Sequence, residues 1–336
     1  MNYKKIKISF VTDNFKNNNC FDENFKSNRD DYLYHIICLK KIFQKANIDF
    51  STHDINHPYD SDAIIQYGTN CGILKNIKNK RYYLLALESP IIDNCSVELK
   101  NHKFFKKIFT WNDDLIDNLK YIKINDSHRF PTSIKKKFYN KKLCCLIAGN
   151  KASKFFSKNE LYTKRLDLIK WFEKNYLSFF DLYGIDWDKY KFGFSFFGRI
   201  FNKIFDDKHN TFVSYKGNVM SKRNTLSKYK FSICFENCFG FNGYITEKIF
   251  DIFFAGCVPI YLGAKNIKTH IPSNCFIDYT NFKSLDELFY FLNNMKENEY
   301  LTYLNNIEKF INCQDSNQFR AEVFAETIFN EIKQDI

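Results

Sequence analysis

Glu88 closes the apolar run YYLLALE and stands before Ser89 and Pro90. A carboxylate at the C-terminal end of a buried strand, ahead of a proline-broken loop, belongs at the ligand-facing edge of an α/β sheet. Apolar neighbours would raise its pKa toward that of a working general base. A carboxylate capping its own backbone turn is the plainer alternative. The second group lies in residues 231–263, FSICFENCFGFNGYITEKIFDIFFAGCVPIYLG. This segment reads as a buried strand, a glycine loop, a short helix and a second buried strand. Glu236 and Asn237 open the loop, and Tyr244, Thr246, Glu247 and Lys248 close it. Thr246 is a natural N-cap, with Glu247 and Lys248 in the first turn. Free N–H groups and partial positive charge at a helix N-terminus hold phosphate. A carboxylate and an ammonium there could hold a ribose and a pyrophosphate. Gly256 ends the helix, and CVPIYLG suits a central parallel strand.

The elements that must position these groups alternate along the chain. Strands are expected at 6–11, 48–52, 63–67, 82–88 and 103–111. Helices are expected at 32–46 and 113–119, the latter capped by Asn112. Phe130-Pro131-Thr132 and the lysines after it mark a boundary near 131–141. Beyond it the pattern predicts strands at 143–148 and 179–183 and helices at 161–176 and 221–228. Residues 188–210 are aromatic and show no clear period. Helices are again expected at 284–295, 297–311 and 318–333. The fold class is α/β with parallel sheets. The expected domains are 1–135, 141–315 and a C-terminal helix within 316–336.

The 336 residues can bury two cores, and the 45% hydrophobic and 18% aromatic content argues against disorder. No run approaches a membrane span, and MNYKKIKISF lacks the apolar centre of a signal peptide. The eleven cysteines are odd in number, irregular in spacing and without a C-x-x-C, so buried free thiols in a reducing cytoplasm are expected. The net charge is +12. Dispersed lysines among asparagines read as a solvated basic surface, and the absence of any nucleic-acid-binding module argues against a nucleic-acid partner. Lys135 to Lys137, with Lys141 and Lys142, form the densest basic cluster. A peripheral contact with anionic lipid is one reading of it. Asp186-Trp187-Asp188 spells a D-x-D, but Gly184 ahead of it makes turn chemistry the better explanation than a metal.

The donor-like segment resembles the signature of the α-1,3-fucosyltransferases, glycosyltransferase family 10. The pattern is Phe235-Glu236-Asn237, Gly243-Tyr244, Thr246-Glu247-Lys248-Ile249 and Gly256 to Gly263. Glu88-Ser89-Pro90 matches the family's E-S-P, and Trp111-Asn112-Asp113 adds a weaker match. The resemblance implies a GT-B architecture, two Rossmann-like domains facing a cleft. It implies inverting transfer of L-fucose from GDP-fucose to an N-acetylglucosamine hydroxyl of a glycan, in α-1,3 linkage. Glu88 would then be the base. Arg165, in the family's helix-start slot, would meet the donor phosphates, unless it only pairs with Asp167 or Glu173 on the surface. Asn237, Tyr244, Thr246, Glu247, Lys248, Lys222 and Asn150 would complete the donor site. No metal is expected to be required, although a divalent ion could stimulate product release. The bulky loop Cys238 to Asn242 departs from the family pattern. A transferase of another nucleotide sugar and a basic nucleic-acid-binding protein are the competing readings.

Overall fold

The computed structural model describes residues 5–69, 72–75, 77, 81–153, 157–189 and 212–336. The aromatic stretch 188–210 therefore lies, from residue 190 onward, outside the described residues. Two compact units divide the chain. Unit 1 is Met1–Arg129, Asn242–Tyr244 and Asn317–Ile336; unit 2 is Phe130–Phe241 and Ile245–Ser316.

Unit 1 is built on a six-stranded parallel sheet: β1 (Lys7–Val11), β2 (Asp49–Thr52), β3 (Ala63–Tyr67), β4 (Tyr82–Ala86), β5 (Lys107–Thr110) and β6 (Tyr121–Lys123). The strand order is β2-β1-β3-β4-β5-β6. β3 and β4 are almost wholly buried, as expected for strands covered on both faces. One core joins Phe10, Phe43 and Phe50, with Phe10 and Phe50 centroids 5.3 Å apart and Phe43 and Phe50 5.0 Å apart. The helix Tyr34–Lys45 contributes Ile36, Leu39 and Phe43 to this core. The C-terminal helix Ala321–Lys333 contributes Phe324, Ala325, Ile328 and Ile332, a single apolar stripe at helical spacing. Its end is fastened to the same sheet: Tyr83 donates to Asp335 at 2.7 Å, Lys107 to Glu331 at 2.5 Å, and Lys106 also pairs with Asp335.

One expected element is absent. In place of a helix over 113–119 there is a single 3-10 turn, Asp113–Leu115, followed by β6. Asn112 does cap it, accepting from the Asp114 N–H at 3.1 Å. The Asp117 carboxylate then accepts from the backbone N–H groups of Leu119, Lys120 and Tyr121 at 2.8, 2.9 and 2.8 Å. Side-chain acceptors that capture nearby N–H groups compete with helix and turn the chain into a strand.

Unit 2 holds a five-stranded parallel sheet, β7 (Lys142–Ile147), β8 (Phe180–Tyr183), β9 (Tyr229–Phe235), β10 (Val258–Leu262) and β11 (Ile277–Asp278), in the order β11-β10-β9-β7-β8. Helices Tyr162–Asn175, Lys222–Leu226, Glu247–Phe254, Leu285–Asn294 and Glu297–Ile311 belong to it. The basic cluster is largely spent inside this unit. Lys136 pairs with Glu308, Lys141 donates to the Gly256 carbonyl at 2.5 Å, and Lys142 meets Asp181 at 2.7 Å. None of the ten described cysteines forms a disulfide. Among the described residues no helix is long and apolar enough to cross a membrane.

Candidate nucleotide-sugar site

In unit 2 the central strand β9 ends at Phe235, and Glu236 follows with its N–H on the Leu262 carbonyl at 2.8 Å. Parallel strands end together, so the loop after β9 and the helix Glu247–Phe254 share the sheet's C-terminal edge, where α/β folds bind ligands. Glu236 is fully buried, at 0% exposure. Its Oε1 accepts from the Thr246 N–H at 2.9 Å, and its Oε2 from the Thr246 hydroxyl at 2.7 Å and the Lys248 ammonium at 3.1 Å. Lys248 also reaches the Thr246 Oγ1 at 2.9 Å. A buried carboxylate is tolerated only when its oxygens are satisfied, and here both are.

Thr246 occupies the N-cap position, but its side chain makes no capping bond to the helix. The hydroxyl that would cap the first turn is committed to Glu236. Glu247 and Lys248 follow in the first turn as expected. Glu247 lies 3.4 Å from Lys222, and Lys222 also meets Asp251 at 2.8 Å. Burial alone would lower the Lys248 pKa, but Glu236 and Glu247 outweigh it and the net shift is upward. Lys222 is likewise raised, because Glu247 and Asp251 overcome its desolvation. Both ammonium groups therefore stay charged at neutral pH.

Arg165 sits in the first turn of Tyr162–Asn175 and is only 4% exposed, which excludes the surface salt bridge. One terminal nitrogen, Nη2, donates to the Phe235 and Glu236 carbonyls, both at 2.6 Å, and approaches the Asn237 Oδ1 at 3.4 Å. Arg165 and Asn237 thus meet at the end of β9, next to Glu236. Asn150 has other partners. Its Nδ2 donates to the carbonyls of Asp186 and Lys189 at 2.9 and 3.0 Å, tying down the turn that carries Asp186-Trp187-Asp188. That turn contains Asp186 at φ 64°, and the Trp187 indole N–H donates to the Ala148 carbonyl at 2.6 Å.

Unit 1 carries the other two predicted residues. Glu88 lies in the loop after β4 and is half-buried, and its carbonyl accepts from the Trp111 Nε1 at 3.3 Å. Tyr244 is buried with its ring 4.9 Å from that of Trp111. Trp111 therefore joins the two. The short piece Asn242–Tyr244 belongs to this unit although its chain neighbours belong to unit 2. Asn242 donates to Asp114 at 2.8 Å, and a Cβ on Gly243 would lie 2.2 Å from the Trp111 carbonyl oxygen.

Reasoning from sequence gave no role to Glu236, Asp251 or Trp111. Glu236 was part of the F-E-N pattern, and a charged residue closing an apolar strand was the available signal.

Residues 188–328 match the family model for the C-terminal part of glycosyltransferase family 10, the fucosyltransferases. The chain is 43% identical over 70 residues to the α-(1,3)-fucosyltransferase FucT of Helicobacter pylori, a match covering 21% of this chain and 14% of that protein. It is 40% identical over 85 residues to the mouse 4-galactosyl-N-acetylglucosaminide 3-α-L-fucosyltransferase 9, covering 24% of this chain and 23% of the relative. The matches thus span less than a quarter of these relatives' lengths. Among solved structures, an α1,3-fucosyltransferase with GDP superposes with a TM-score of 0.55 at 16% identity, covering 100% of this chain and 93% of the other. Anabaena HepE with UDP and glucose superposes at 0.59 and 9% identity, covering 98% and 100%. At such identities the likeness shows the fold, that of the GT-B glycosyltransferases. The fold, the signature residues and the family match agree, and over residues 188–328 the chain is similar to the C-terminal part of glycosyltransferase family 10, the fucosyltransferases.

Proposed function

We propose that this protein transfers L-fucose from GDP-fucose to a hydroxyl of N-acetylglucosamine in a glycan, with inversion and in α-1,3 linkage. The observation that carries the reading is the cation at the head of helix Glu247–Phe254. Lys248 is held there by Glu236 and Thr246, inside the segment that matches the family. The mouse relative's name specifies a galactosyl-N-acetylglucosaminide, and a GDP-fucose complex is among the structures sharing the fold, at a TM-score of 0.55.

The acceptor oxygen attacks the anomeric carbon of fucose from the face opposite the diphosphate. Its proton passes to the Glu88 carboxylate, and the bond from the anomeric carbon to the phosphate oxygen breaks. GDP leaves with the negative charge. Lys248 and the first-turn N–H groups of Glu247–Phe254 meet that charge, a stabilisation that grows toward the transition state. Glu247 holds the ribose hydroxyls, while Arg165 holds the end of β9 on which the site is built. Lys248 and the helix N-terminus take the part a divalent ion would otherwise play, so no metal is required. A reducing, cytoplasmic setting suits a chain whose eleven cysteines are odd in number, irregular in spacing and without a C-x-x-C. A screen of GDP-fucose, UDP-glucose and UDP-N-acetylglucosamine against a glycan array tests donor and acceptor together. Transfer from a uridine donor with none from GDP-fucose refutes the reading.

A further inference from the structure

We infer that Glu236 is a positioning residue of the donor site, its buried carboxylate fixing Thr246 and holding the Lys248 ammonium at the head of helix Glu247–Phe254. The inference rests on the donor reading above and adds to it a residue that does not itself touch the donor.

The geometry converges on this carboxylate from three sides. Both oxygens are engaged, one by the Thr246 N–H and the other by the Thr246 hydroxyl and Lys248. Its backbone carbonyl accepts from Arg165 at 2.6 Å, so the residue is clamped at main chain and side chain alike. A Cβ on Gly263 would lie 2.4 Å from the Glu236 Cγ and 2.6 Å from the Tyr261 hydroxyl oxygen. The end of β10 leaves room for the carboxylate stem only because residue 263 has no side chain.

Two consequences bear on the donor. Lys248 is three-quarters buried, with 24% of its side chain exposed, and is fixed in one place before any ligand arrives. Binding then does not have to order a long flexible side chain. Thr246, drawn to Glu236, leaves the first-turn N–H groups without a side-chain cap. Stability alone explains the arrangement poorly, since a buried ion pair can commonly be replaced by apolar residues at no loss.

The experiment compares the full-length parent, Glu236→Gln, Lys248→Met and the double variant by calorimetric titration with GDP and by pH titration of 13C-labelled lysine. The parent is expected to bind GDP. Glu236→Gln should weaken binding about tenfold or more, as loss of a charge-assisted contact does, and should lower the pH at which Lys248 titrates. In the Lys248→Met background the same change should cost little further, because Glu236 acts through Lys248. Glu236→Asp keeps the charge but shortens the reach. It should bind GDP between the parent and Glu236→Gln, and it supplies the comparison if the glutamine variant does not fold. A parent that binds GDP with either Glu236 variant unchanged, or losses that add in full, overturns this inference alone. A parent that does not bind GDP overturns the donor reading and this inference with it.

Discussion

Replacing Lys248 with Met removes a charge while keeping most of the side chain's length and bulk, so its effects isolate the cation. In the native protein the ammonium neutralises a carboxylate of 0% exposure at 3.1 Å. Removing one member of a buried pair costs about 3–5 kcal/mol when the survivor is left uncompensated. Glu236 keeps two donors from Thr246, each worth about 1 kcal/mol, so the expected loss is nearer 1–3 kcal/mol. Chemical denaturation of Lys248→Met should show that loss as a lower midpoint at unchanged slope. Adding Glu236→Gln should return most of it, since the buried charge is then gone. GDP affinity should fall by about 10- to 100-fold in Lys248→Met and should not return in the double variant. The pH dependence follows from sign. The Lys248 pKa is raised above its ordinary 10.5 in the folded protein. Its contribution to stability is complete below about that value and is lost as pH climbs through the raised native pKa. Parent stability should therefore fall toward that of Lys248→Met only in strongly alkaline solution. A denaturation midpoint unchanged by Lys248→Met at neutral pH would refute the account of Glu236 as a compensated buried charge.

Three further outcomes are expected. Glu88→Gln keeps shape and removes the base, so transfer should drop about 100- to 10,000-fold with GDP binding unaltered; turnover within about threefold of the parent would mean another group takes the proton. Gly243→Ala must place a Cβ 2.2 Å from the Trp111 carbonyl oxygen at a φ of 81°. Left-handed backbone alone costs about 1–2 kcal/mol, so thermal unfolding should shift down, and an unchanged Tm would contradict the packing of this loop on Trp111. Transfer should persist in excess EDTA, measured as GDP released with acceptor present; complete loss reversed by manganese would return attention to the aspartates beside Trp187.

The parallel strands were legible because covered strands are continuous apolar runs, and runs such as 63–67 and 82–88 need no partner to be recognised. The same local logic located the helix that begins at Glu247, since an acid and a base after a threonine mark a helix start wherever the chain goes. It failed over 113–119, where Asp117 captured three N–H groups and replaced a helix with a turn and β6. That outcome depends on which acceptor reaches which donor, and periodicity does not encode it.

At the candidate site the sequence supplied the residue types, while the tertiary structure decided their partners. Thr246 stands at the cap position, yet its hydroxyl serves Glu236, ten residues away in sequence and across the loop. Arg165, which its helical surroundings left open to a surface pair, is buried against the end of β9. Lysines that looked like one basic patch are divided among Glu308, Gly256 and Asp181. Asn242–Tyr244 pack with Trp111 in unit 1 while the chain on either side folds into unit 2. Sequence alone determined which side chains were available and in what local element each would lie, because those depend on neighbours a few residues away. Which charges were buried, and against what, was decided by long-range packing, where the cost of desolvation forces each buried ion onto a partner the linear pattern does not name.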